Sequence, residues 1–289
     1  MYVLSKADLE PVRATVNGNS LVYQTIVVGQ LQTNCTVLAN ETVGKALVVD
    51  PGDDAEAIAA VAKQWKVAIV GIYATHGHLD HILAAGSLKR LCPGSKLFIH
   101  RNDATWWNNV DKQLRAFGIR HSTLGDDAQL PAPDAWLDGS EQLDLVPGLN
   151  GRALFTPGHT GGSTSYYFAD LGLVCTGDTL FKANVGRTDL MDGDFTLLAK
   201  SIRLQLYALP DSTKVVPGHG SFTSIDFEKK HNMYVPATAA GGDGDDDDDG
   251  VDKADDGGKV HPYFSSAVDV PHSGCCCLHA HHLAVQSHL

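Results

Sequence analysis

The sequence predicts an α/β fold in which strands and helices alternate after a β-rich beginning, and three observations support this prediction. Apolar runs near the N-terminus are separated by Gly, Asn and Thr, as in an antiparallel meander. Further along, segments with helical periodicity alternate with short apolar runs. Several of those runs end in a Gly-rich turn that carries His or Asp, so side chains that could take part in chemistry are concentrated at strand ends.

The first half of the chain shows a meander followed by alternating elements. The predicted strands of the meander are 21–28, 35–39 and 45–49. A helix over 54–63 follows, with Asp53 or Asp54 as its N-cap and an apolar face that ends at Trp65. The later elements of this half are an apolar strand over 67–74, a helix from Asp80 to about Leu91 and a strand over 96–99.

The second half begins with an irregular segment, 101–149, which contains three of the four tryptophans and several prolines. Its hydrophobic pattern fits neither a helix nor a strand, so we predict only that it is an insertion. Regular elements return after it. They are strands over 152–156, 166–169, 173–176 and 214–216, and a helix over 195–206.

Composition divides the chain into three parts. Residues 1–20 are predicted to form an N-terminal extension, and residues 21–240 a single domain with enough apolar residues for a large core. From residue 241 onward the sequence is rich in Gly, Asp and Ser, and it then becomes rich in Cys and His. Such a composition buries too little apolar surface to offset the entropy of ordering, so we predict a disordered tail over 241–289.

Charge and hydropathy exclude two classes of partner. The formal net charge is −12, whereas nucleic-acid binding depends on clustered Lys and Arg, so we expect no nucleic-acid partner. The longest apolar run, 67–72, is far shorter than the roughly 20 residues that a membrane span needs, so we expect no membrane partner. Cys35, Cys92 and Cys175 stand singly in apolar surroundings, which predicts buried reduced thiols and a cytoplasmic protein.

The residues that point to a function are histidines and aspartates at strand ends. The sequence THGHLDH directly follows the predicted strand 67–74, and the Gly-rich turns TPGHTGGS, TGDT and PGHG follow later strands. Imidazoles and carboxylates are ligands that zinc prefers, and glycine lets the backbone approach an ion closely. The candidate ligands are His76, His78, Asp80, His81, His159, Asp178 and His219.

Seven ligands are too many for one tetrahedral ion, so we predict two metal ions per chain. The two predicted sites are His76 with His78 and His159, and Asp80 with His81 and His219. Asp178 is expected to bridge the two ions, because a carboxylate can offer one oxygen to each. A hydroxide held between the ions would be a nucleophile at neutral pH, since metal coordination lowers the pKa of water to about 7.

These motifs resemble those of the metallo-β-lactamase superfamily, and within it the glyoxalase II (hydroxyacylglutathione hydrolase) group in its short form. THGHLDH, TPGHTGGS, CTGDTLF, NVGRTDLMDGD and PGHGSFT match that group in order, as does the earlier VGQLQTNCTVL, over roughly residues 21–235. The resemblance implies an αββα sandwich, in which two packed sheets are flanked by helices and a dimetal site lies at one edge between them. It gives the metal roles to the seven residues named above, with zinc as the expected ion and iron and manganese as alternatives.

The resemblance also implies a reaction. The expected activity is hydrolysis of a thioester, S-lactoylglutathione or a similar 2-hydroxyacyl thiol conjugate, by attack of a metal-bridging hydroxide. A thiol with a pKa of about 8.5 can depart without a general acid. Asp80 and Asp178 are expected to act in catalysis as well as in metal binding, Asp80 by orienting the nucleophile. Arg187 matches a position at which relatives carry a basic residue that contacts glutathione, so we expect it to bind a substrate carboxylate; a structural ion pair is the alternative.

The chain departs from this group in two ways. Longer glyoxalase II proteins add a C-terminal helical domain that holds much of the glutathione, whereas only about fifteen residues that we expect to be ordered follow PGHG here. The thiol carrier and the oligomeric state are therefore left open. The segment 101–149 is longer than the short-form pattern, and both a lid over the site and a plain surface insertion remain open interpretations.

Two other functions remain open from the sequence. A persulfide dioxygenase, which is similar in sequence, would use one iron with a facial set of two histidines and one aspartate, here His159, Asp178 and either His76 or His78. A non-catalytic, metal-stabilised binding module would use the acidic tail to recruit a basic partner. Metal stoichiometry and a panel of thioester, lactone and lactam substrates distinguish the three.

The last three residues of the sequence, Ser287, His288 and Leu289, bear on location. They resemble a permissive form of a peroxisomal address, so a peroxisomal or glycosomal location is the alternative to the cytoplasm. The Cys- and His-rich stretch ahead of them could bind metal or be palmitoylated, but we expect it to be unstructured and reactive, because no neighbouring fold supports a metal site there.

Overall fold

Seven strands form the first sheet and follow one another across it in the order of the chain. The computed structural model describes residues 6–119 and 130–237, which lie in the unit Met1–Ala237. The strands are β1 (Val12–Val16), β2 (Asn19–Val28), β3 (Thr33–Asn40), β4 (Lys45–Val49), β5 (Ala68–Tyr73), β6 (Lys96–His100) and β7 (Ala135–Leu137). Neighbours are antiparallel from β1 to β4 and parallel from β4 to β7. The predicted antiparallel meander is therefore confirmed.

A second sheet contains six strands from the later part of the chain. They are β8 (Gln142–Leu143), β9 (Gly151–Phe155), β10 (Thr164–Phe168), β11 (Leu173–Gly177), β14 (Lys214–Pro217) and β15 (Thr223–Ser224). Their order is β15-β14-β11-β10-β9-β8, and only β11 and β14 pair in parallel. Between β11 and β14 the chain forms a small hairpin of β12 (Leu180–Phe181) and β13 (Asn184–Val185).

The helices of the described residues are short. They are α1 (Lys6–Leu9), α2 (Ala55–Trp65), α3 (Leu79–Ile82), α4 (Ala85–Leu91), α5 (Ala104–Asn108), α6 (Val110–Ala116), α7 (Phe195–Ser201) and α8 (Ile225–His231). Two 3₁₀ turns, Arg101–Asp103 and Ala169–Leu171, and a π-helical turn, Ile202–Leu206, complete the regular structure. No helix of the described ranges combines the length and the apolar character that a membrane crossing requires.

The two sheets pack face to face, and each is covered by helices on its outer face. In β3, Leu38 packs into the core between the sheets, whereas its neighbour Val37 packs against α2 and α4 on the outer side. In β11, Cys175 faces the inter-sheet core and Val174 faces α7 and α8. Since side chains alternate along a strand, apolar residues at consecutive positions give a strand that is buried on both faces. The predicted αββα sandwich is confirmed.

Two predicted helices differ from the observed ones. The helix expected from Asp80 to Leu91 is interrupted between α3 and α4, because the N–H of Ala84 donates to the carbonyl of Pro51 (2.9 Å) and leaves the helical ladder. Asp54 stands at the N-cap of α2, as predicted, but its carboxylate accepts the N–H of Gly29 (2.9 Å) and makes no cap hydrogen bond to the helix. Both differences arise from contacts with chain segments that are distant in sequence.

The segments predicted as additions to the domain contribute to its sheets. Residues 12–16, within the predicted N-terminal extension, form β1 and pair with β2. Within 101–149, β7 extends the first sheet and β8 extends the second. The described part of 101–149 thus contributes one strand to each of the two sheets. The acidic and Cys/His-rich tail, 241–289, lies outside the described residues, so its predicted disorder and its targeting sequence stay predictions.

The three cysteines of the described residues have free thiols. Cys35 and Cys175 are buried, as predicted, and burial raises the pKa of each thiol. The prediction of burial is wrong for Cys92, which is partly exposed because it follows the last residue of α4 at the end of the helix. Burial keeps Cys35 and Cys175 in the unreactive thiol form.

Candidate metal centre

The first four candidate ligands lie at the point where β5 passes into α3. The strand ends at Tyr73, the chain then runs through His76 to His78 in loop conformation, and His78 is the extended residue at the N-cap of α3. His76 and His78 therefore precede the helix. Asp80 and His81 lie in the first turn of α3, so their side chains project from a helix, whereas those of His76 and His78 project from the chain ahead of it.

The other three ligands come from loops that follow strands of the second sheet. His159 lies in the Gly-rich loop after β9, Asp178 follows the last residue of β11, and His219 lies two residues beyond β14. The main chain of Gly218 joins the two sheets here, because its carbonyl accepts the N–H of Asn34 in β3 (2.7 Å). These strand ends meet at one edge of the sandwich, where the residues of THGHLDH also lie.

Three histidines form the first group of the site. His78 Nδ1 lies 3.0 Å from His76 Nε2 and 3.0 Å from His159 Nε2, and all three side chains are buried. Two nitrogen ligands of one tetrahedral zinc ion, each at about 2.0–2.1 Å from it, lie roughly 3.3 Å apart. The spacing of the three imidazoles is close to that of ligands that share one ion.

Two further histidines and a carboxylate form the second group. Asp80 Oδ2 lies 3.0 Å from His219 Nε2 and 3.5 Å from His81 Nε2. His81 is fully buried, whereas Asp80 and His219 are partly exposed. The second group therefore lies nearer to solvent than the first.

Asp178 lies between the two groups. Its Oδ1 is 3.4 Å from His81 Nε2 and 3.8 Å from His219 Nε2, and its Oδ2 is 3.8 Å from His159 Nε2. Its side chain is almost fully buried. One oxygen thus faces each group, which is the position predicted for a bridging carboxylate.

Unsatisfied polar atoms show whether these residues suit metal ions. His81 Nε2 and Asp178 Oδ1 are buried side-chain atoms of the described residues without a hydrogen-bond partner. The two atoms lie 3.4 Å apart, so they attract each other as an ion pair, but the hydrogen-bonding capacity of both remains unfilled. Three sets of ligand atoms lie within 4.8 Å of one another, namely His76, His78 and His159; His76, His81 and Asp178; and Asp80, His81 and His219. Nitrogen and oxygen donors in this arrangement fit two divalent ions of the zinc type.

Burial keeps the imidazoles of the first group neutral. It lowers the pKa of His76 and His159 below the ordinary value, and it lowers the pKa of His78 to about 3. The proximity of other imidazoles lowers the pKa of His76 and His78 further. Only a neutral imidazole has a lone pair for a metal ion, so these three rings are ready to act as ligands.

In the second group, the pKa of each imidazole is raised instead of lowered. Burial lowers the pKa of His81 and His219, but the carboxylates around them outweigh burial and raise it above the ordinary value. Burial likewise raises the pKa of Asp80 and Asp178, but the neighbouring imidazoles lower it below the ordinary value. The two carboxylates are therefore anionic at neutral pH, which suits them to offset the charge of metal ions.

Sequence reasoning missed Asp50, which orients a candidate ligand. Asp50 follows β4 directly, and its Oδ2 accepts from His81 Nδ1 (3.0 Å) while its Oδ1 accepts the N–H of Thr75 (2.7 Å). A carboxylate on one ring nitrogen fixes the tautomer that leaves the other nitrogen free for a metal ion. A signal was present, because Asp50 stands at a strand end before Pro51 and Gly52, as the candidate ligands do at theirs.

Asp103 is a second residue that the sequence did not reveal. It is fully buried, and it accepts hydrogen bonds from the N–H of Gly77 (2.7 Å), the N–H of Gly162 (2.7 Å) and the hydroxyl of Thr160 (2.9 Å). Burial raises the pKa of Asp103 to about 7. The carboxyl group ties the loop of His76 and His78 to the loop of His159. No sequence motif marks it, because its partners lie far from it in the chain.

Arg187 presents two different groups to its surroundings. Its backbone carbonyl accepts from His159 Nδ1 (2.8 Å), which leaves His159 Nε2 directed at His78. Its guanidinium donates to both carboxylate oxygens of Asp189, at 2.7 and 2.9 Å. The structure thus contains the ion pair that we named as the alternative, and the predicted binding of a substrate carboxylate by Arg187 stays a prediction.

Metal binding by this centre predicts a change in thermal stability. We expect the midpoint of thermal unfolding of chelator-treated protein to rise when Zn²⁺ is added. An ion present at about 1,000 times its dissociation constant stabilises the folded state by about 4 kcal/mol. In a domain of this size that corresponds to roughly 8–16 °C, measurable by calorimetry.

Two controls make the thermal experiment specific. Mg²⁺ prefers oxygen ligands and should give a much smaller shift. A His159→Ala variant should show a smaller shift with Zn²⁺, because it loses the three-histidine site but keeps the second group of ligands and the Cys- and His-rich stretch near the end of the chain. An unchanged shift in that variant would mean that the stabilising ion binds elsewhere.

Comparisons with known proteins agree with this geometry. A model of the metallo-beta-lactamase superfamily matches residues 28–219. The hydroxyacylglutathione hydrolase GloC of Haemophilus influenzae is 32% identical over 210 residues, which are 73% of this chain and 96% of the relative. The crystal structure of BLEG-1 B3 metallo-beta-lactamase is 32% identical with a TM-score of 0.66, and the match covers 74% of this chain and 99% of that one.

A second solved structure bears on the metal ions. It is TTHA1623 in a di-iron-bound form, which is 29% identical with a TM-score of 0.62 over 73% of this chain and 98% of that one. A protein similar to this chain therefore holds two metal ions. From the matched family model and the shared fold, we conclude that this chain belongs to the metallo-β-lactamase superfamily.

Proposed function

We propose that the protein is a metal-dependent hydrolase of a thioester, with S-lactoylglutathione or a similar 2-hydroxyacyl thiol conjugate as its substrate. One observation carries the proposal: seven buried or partly buried His and Asp side chains form two groups of ligands, and Asp178 reaches both. We propose two zinc ions per chain, with iron or manganese as alternatives. When bound, such ions would supply a hydroxide nucleophile at neutral pH and polarise the carbonyl oxygen of the substrate.

Two carboxylates of the chain have separate tasks in this proposal. Asp178 holds the two groups of ligands in one arrangement, because each of its oxygens faces a different group. Asp80 lies at the more exposed group, and Thr33 Oγ1 is 3.4 Å from its Oδ2. Its lowered pKa keeps it anionic, so it can accept a hydrogen bond from the attacking nucleophile and orient the remaining lone pair toward the substrate.

The leaving group favours a thioester over an amide. All seven residues are engaged as ligands in the proposed arrangement, so none of them remains to protonate a departing group. A thiol has a pKa of about 8.5 and leaves as a thiolate without a proton donor, whereas an amine needs one. The name of the Haemophilus influenzae relative, hydroxyacylglutathione hydrolase, supports the same substrate class.

Two features of the surroundings suit binding of the substrate. A cleft opens beside Asp80, and its apolar lining comes from Val28, Leu31, Leu79, Leu83 and Ile119. We propose that the acyl group lies against this cleft. The backbone of Arg187 lies beside His159, and we propose that its side chain binds a carboxylate of the thiol carrier.

A β-lactam is the second candidate substrate. It is favoured by the similarity to BLEG-1, which is named a B3 metallo-beta-lactamase. A lactam nitrogen departs as an amine, so this activity would need a proton donor beyond the seven ligands. We therefore expect thioester hydrolysis to be faster than lactam hydrolysis.

A substrate panel with matched metal analysis tests the proposal. Purified full-length protein is loaded with Zn²⁺, its metal content is measured by elemental analysis, and it is assayed with S-lactoylglutathione, a lactone, a β-lactam and glutathione persulfide. We expect about two ions per chain, release of thiol from S-lactoylglutathione and no consumption of oxygen. One iron per chain with oxygen consumption on the persulfide would favour a dioxygenase instead. Metal binding without turnover of any substrate would favour a non-catalytic binding module.

A further inference from the structure

The loop 187–194 contacts the three-histidine group directly at one place and its supporting segments at another. At its beginning, the carbonyl of Arg187 accepts from His159 Nδ1 (2.8 Å). Near its end, Asp192 lies beside the Gly-rich loop that carries His159 and beside α5. The sequence singled out only Arg187 in this loop and the motif NVGRTDLMDGD that contains it, and the aspartates of the loop are not among the candidate ligands.

Asp192 joins two segments that carry or support ligands. Its Oδ2 accepts the N–H of Gly161, two residues after His159 (2.8 Å), and its Oδ1 accepts from Trp106 Nε1 in α5 (3.0 Å). One side chain therefore holds both the loop of His159 and the indole of Trp106. Each contact alone is an ordinary hydrogen bond, but the two together fix the distance between these segments.

Trp106 in turn packs directly against His78. The two rings meet edge to face, with centroids 4.6 Å apart and planes at 86°. The main chain at Gly77, next to His78, also lies close to Trp106, because a Cβ built on Gly77 would be 2.5 Å from Trp106 Cβ. His78 Nδ1 is the atom that lies 3.0 Å from both other imidazoles of the group. A rotation of the indole would therefore change the direction of this nitrogen.

We propose that Asp192 is a positioning residue for the first metal site, because its carboxylate holds Trp106 against His78 and Gly161 beside His159. Removing this carboxylate releases both supports at once. Residues that orient metal ligands typically contribute about ten- to a hundredfold to metal affinity. This inference rests on the metal binding that belongs to the proposed function, but it does not depend on which substrate the centre hydrolyses.

The test measures metal affinity in place of turnover. Zn²⁺ is titrated into chelator-treated full-length protein in competition with a chromophoric chelator, and the two binding steps are assigned with His159→Ala and His219→Ala. We expect Asp192→Ala to weaken the step that His159→Ala abolishes by about ten- to a hundredfold and to leave the other step unchanged. The visible absorption of bound Co²⁺ should change with the same step, since it reports the ligand geometry of each ion.

Asp170 provides a matched control. Like Asp192 it is a half-buried aspartate that accepts one backbone N–H and one side-chain N–H, here both from Asn150, at 3.1 and 2.8 Å. It lies at the end of β10 that is remote from the ligand loops. Asp170→Ala should therefore leave both binding steps at their wild-type affinities.

Two variants keep the test decisive if Asp192→Ala does not fold. Asp192→Asn keeps one acceptor oxygen, and Trp106→Phe keeps the ring against His78 without its N–H donor; each should weaken the same step by a smaller factor. The proposal is overturned if the foldable variants bind both ions as the wild type does, or if they weaken both steps equally. Failure of the wild type to bind any metal would instead overturn the proposed function.

Discussion

Replacing Asp178 by Asn is expected to remove at least one metal ion and nearly all hydrolytic activity. The two side chains have the same shape, so the change acts through charge. The carboxylate Oδ1 lies 3.4 Å from His81 Nε2 and Oδ2 lies 3.8 Å from His159 Nε2. In the Asp178→Asn variant one of these positions becomes an amide NH₂ group, whose lone pair is delocalised and does not bind a metal ion. One group of candidate ligands therefore loses the oxygen that Asp178 contributes to it.

The size of the effect follows from burial. Asp178 is 5% exposed, so water cannot replace the missing charge. Removing one partner of a buried charged pair costs about 3–5 kcal/mol. Since 1.4 kcal/mol corresponds to a factor of ten, metal affinity should fall by roughly 10²–10⁴-fold. Elemental analysis after dialysis and the rate of thiol release from S-lactoylglutathione measure the two consequences.

Asp211→Asn is the control for this experiment. Asp211 is an exposed carboxylate that pairs with Lys229, and exposed pairs contribute little. The control variant should retain two ions and wild-type turnover. If Asp178→Asn also retained two ions and its rate, Asp178 would not bridge the groups, and the proposed arrangement of the centre would be wrong.

The positions of the candidate ligands could be identified because they depend on short-range features. THGHLDH carries four of them in seven residues, and the Gly-rich turns after β9, β11 and β14 mark the others. Because strand ends lie at the edge of a sheet, the turns that follow them can be expected to meet there even when the packing of the sheets is not known. The αββα sandwich was accessible only through the resemblance, since hydrophobic periodicity does not determine how two sheets face each other.

The supporting residues could not be predicted in the same way. Asp103 accepts from Gly77 and Gly162, which are 26 and 59 residues away, and Asp192 accepts from Trp106, which is 86 residues away. Aspartate is common in loops, so neither residue type nor local pattern distinguishes these two from the others. Their roles appear only when distant segments are packed, as does the interruption of the helix between α3 and α4.

The glycines of the site lead to a second prediction of large effect, at Gly218. The conformation of Gly218 does not require glycine, since its φ lies outside the left-handed region, but its surroundings do. A Cβ built there would overlap Asp178 Oδ1 and lie 2.6 Å from His81 Cε1. Two ligands thus occupy the volume that the methyl group of alanine would need.

Gly218 cannot easily move away from this contact. Its N–H donates to the carbonyl of Gly177 and its carbonyl accepts from the N–H of Asn34, both at 2.7 Å, so the main chain is held on both sides. We therefore expect the ligands to shift in Gly218→Ala. Overpacking costs about 1–3 kcal/mol in stability, and displaced ligands should lower zinc affinity and turnover by at least about tenfold.

Gly86→Ala separates the effect on the ligands from overpacking in general. A Cβ at Gly86 in α4 would lie 2.9 Å from Pro131 Cδ, a contact that is also too close but involves no ligand. Both variants should unfold at lower temperature than the wild type, whereas only Gly218→Ala should lose zinc in competition with a chelator. Equal zinc affinity in the two variants would show that the centre accommodates a methyl group at position 218. Glycine would then be needed there for the main-chain contacts between the sheets and not for the ligands.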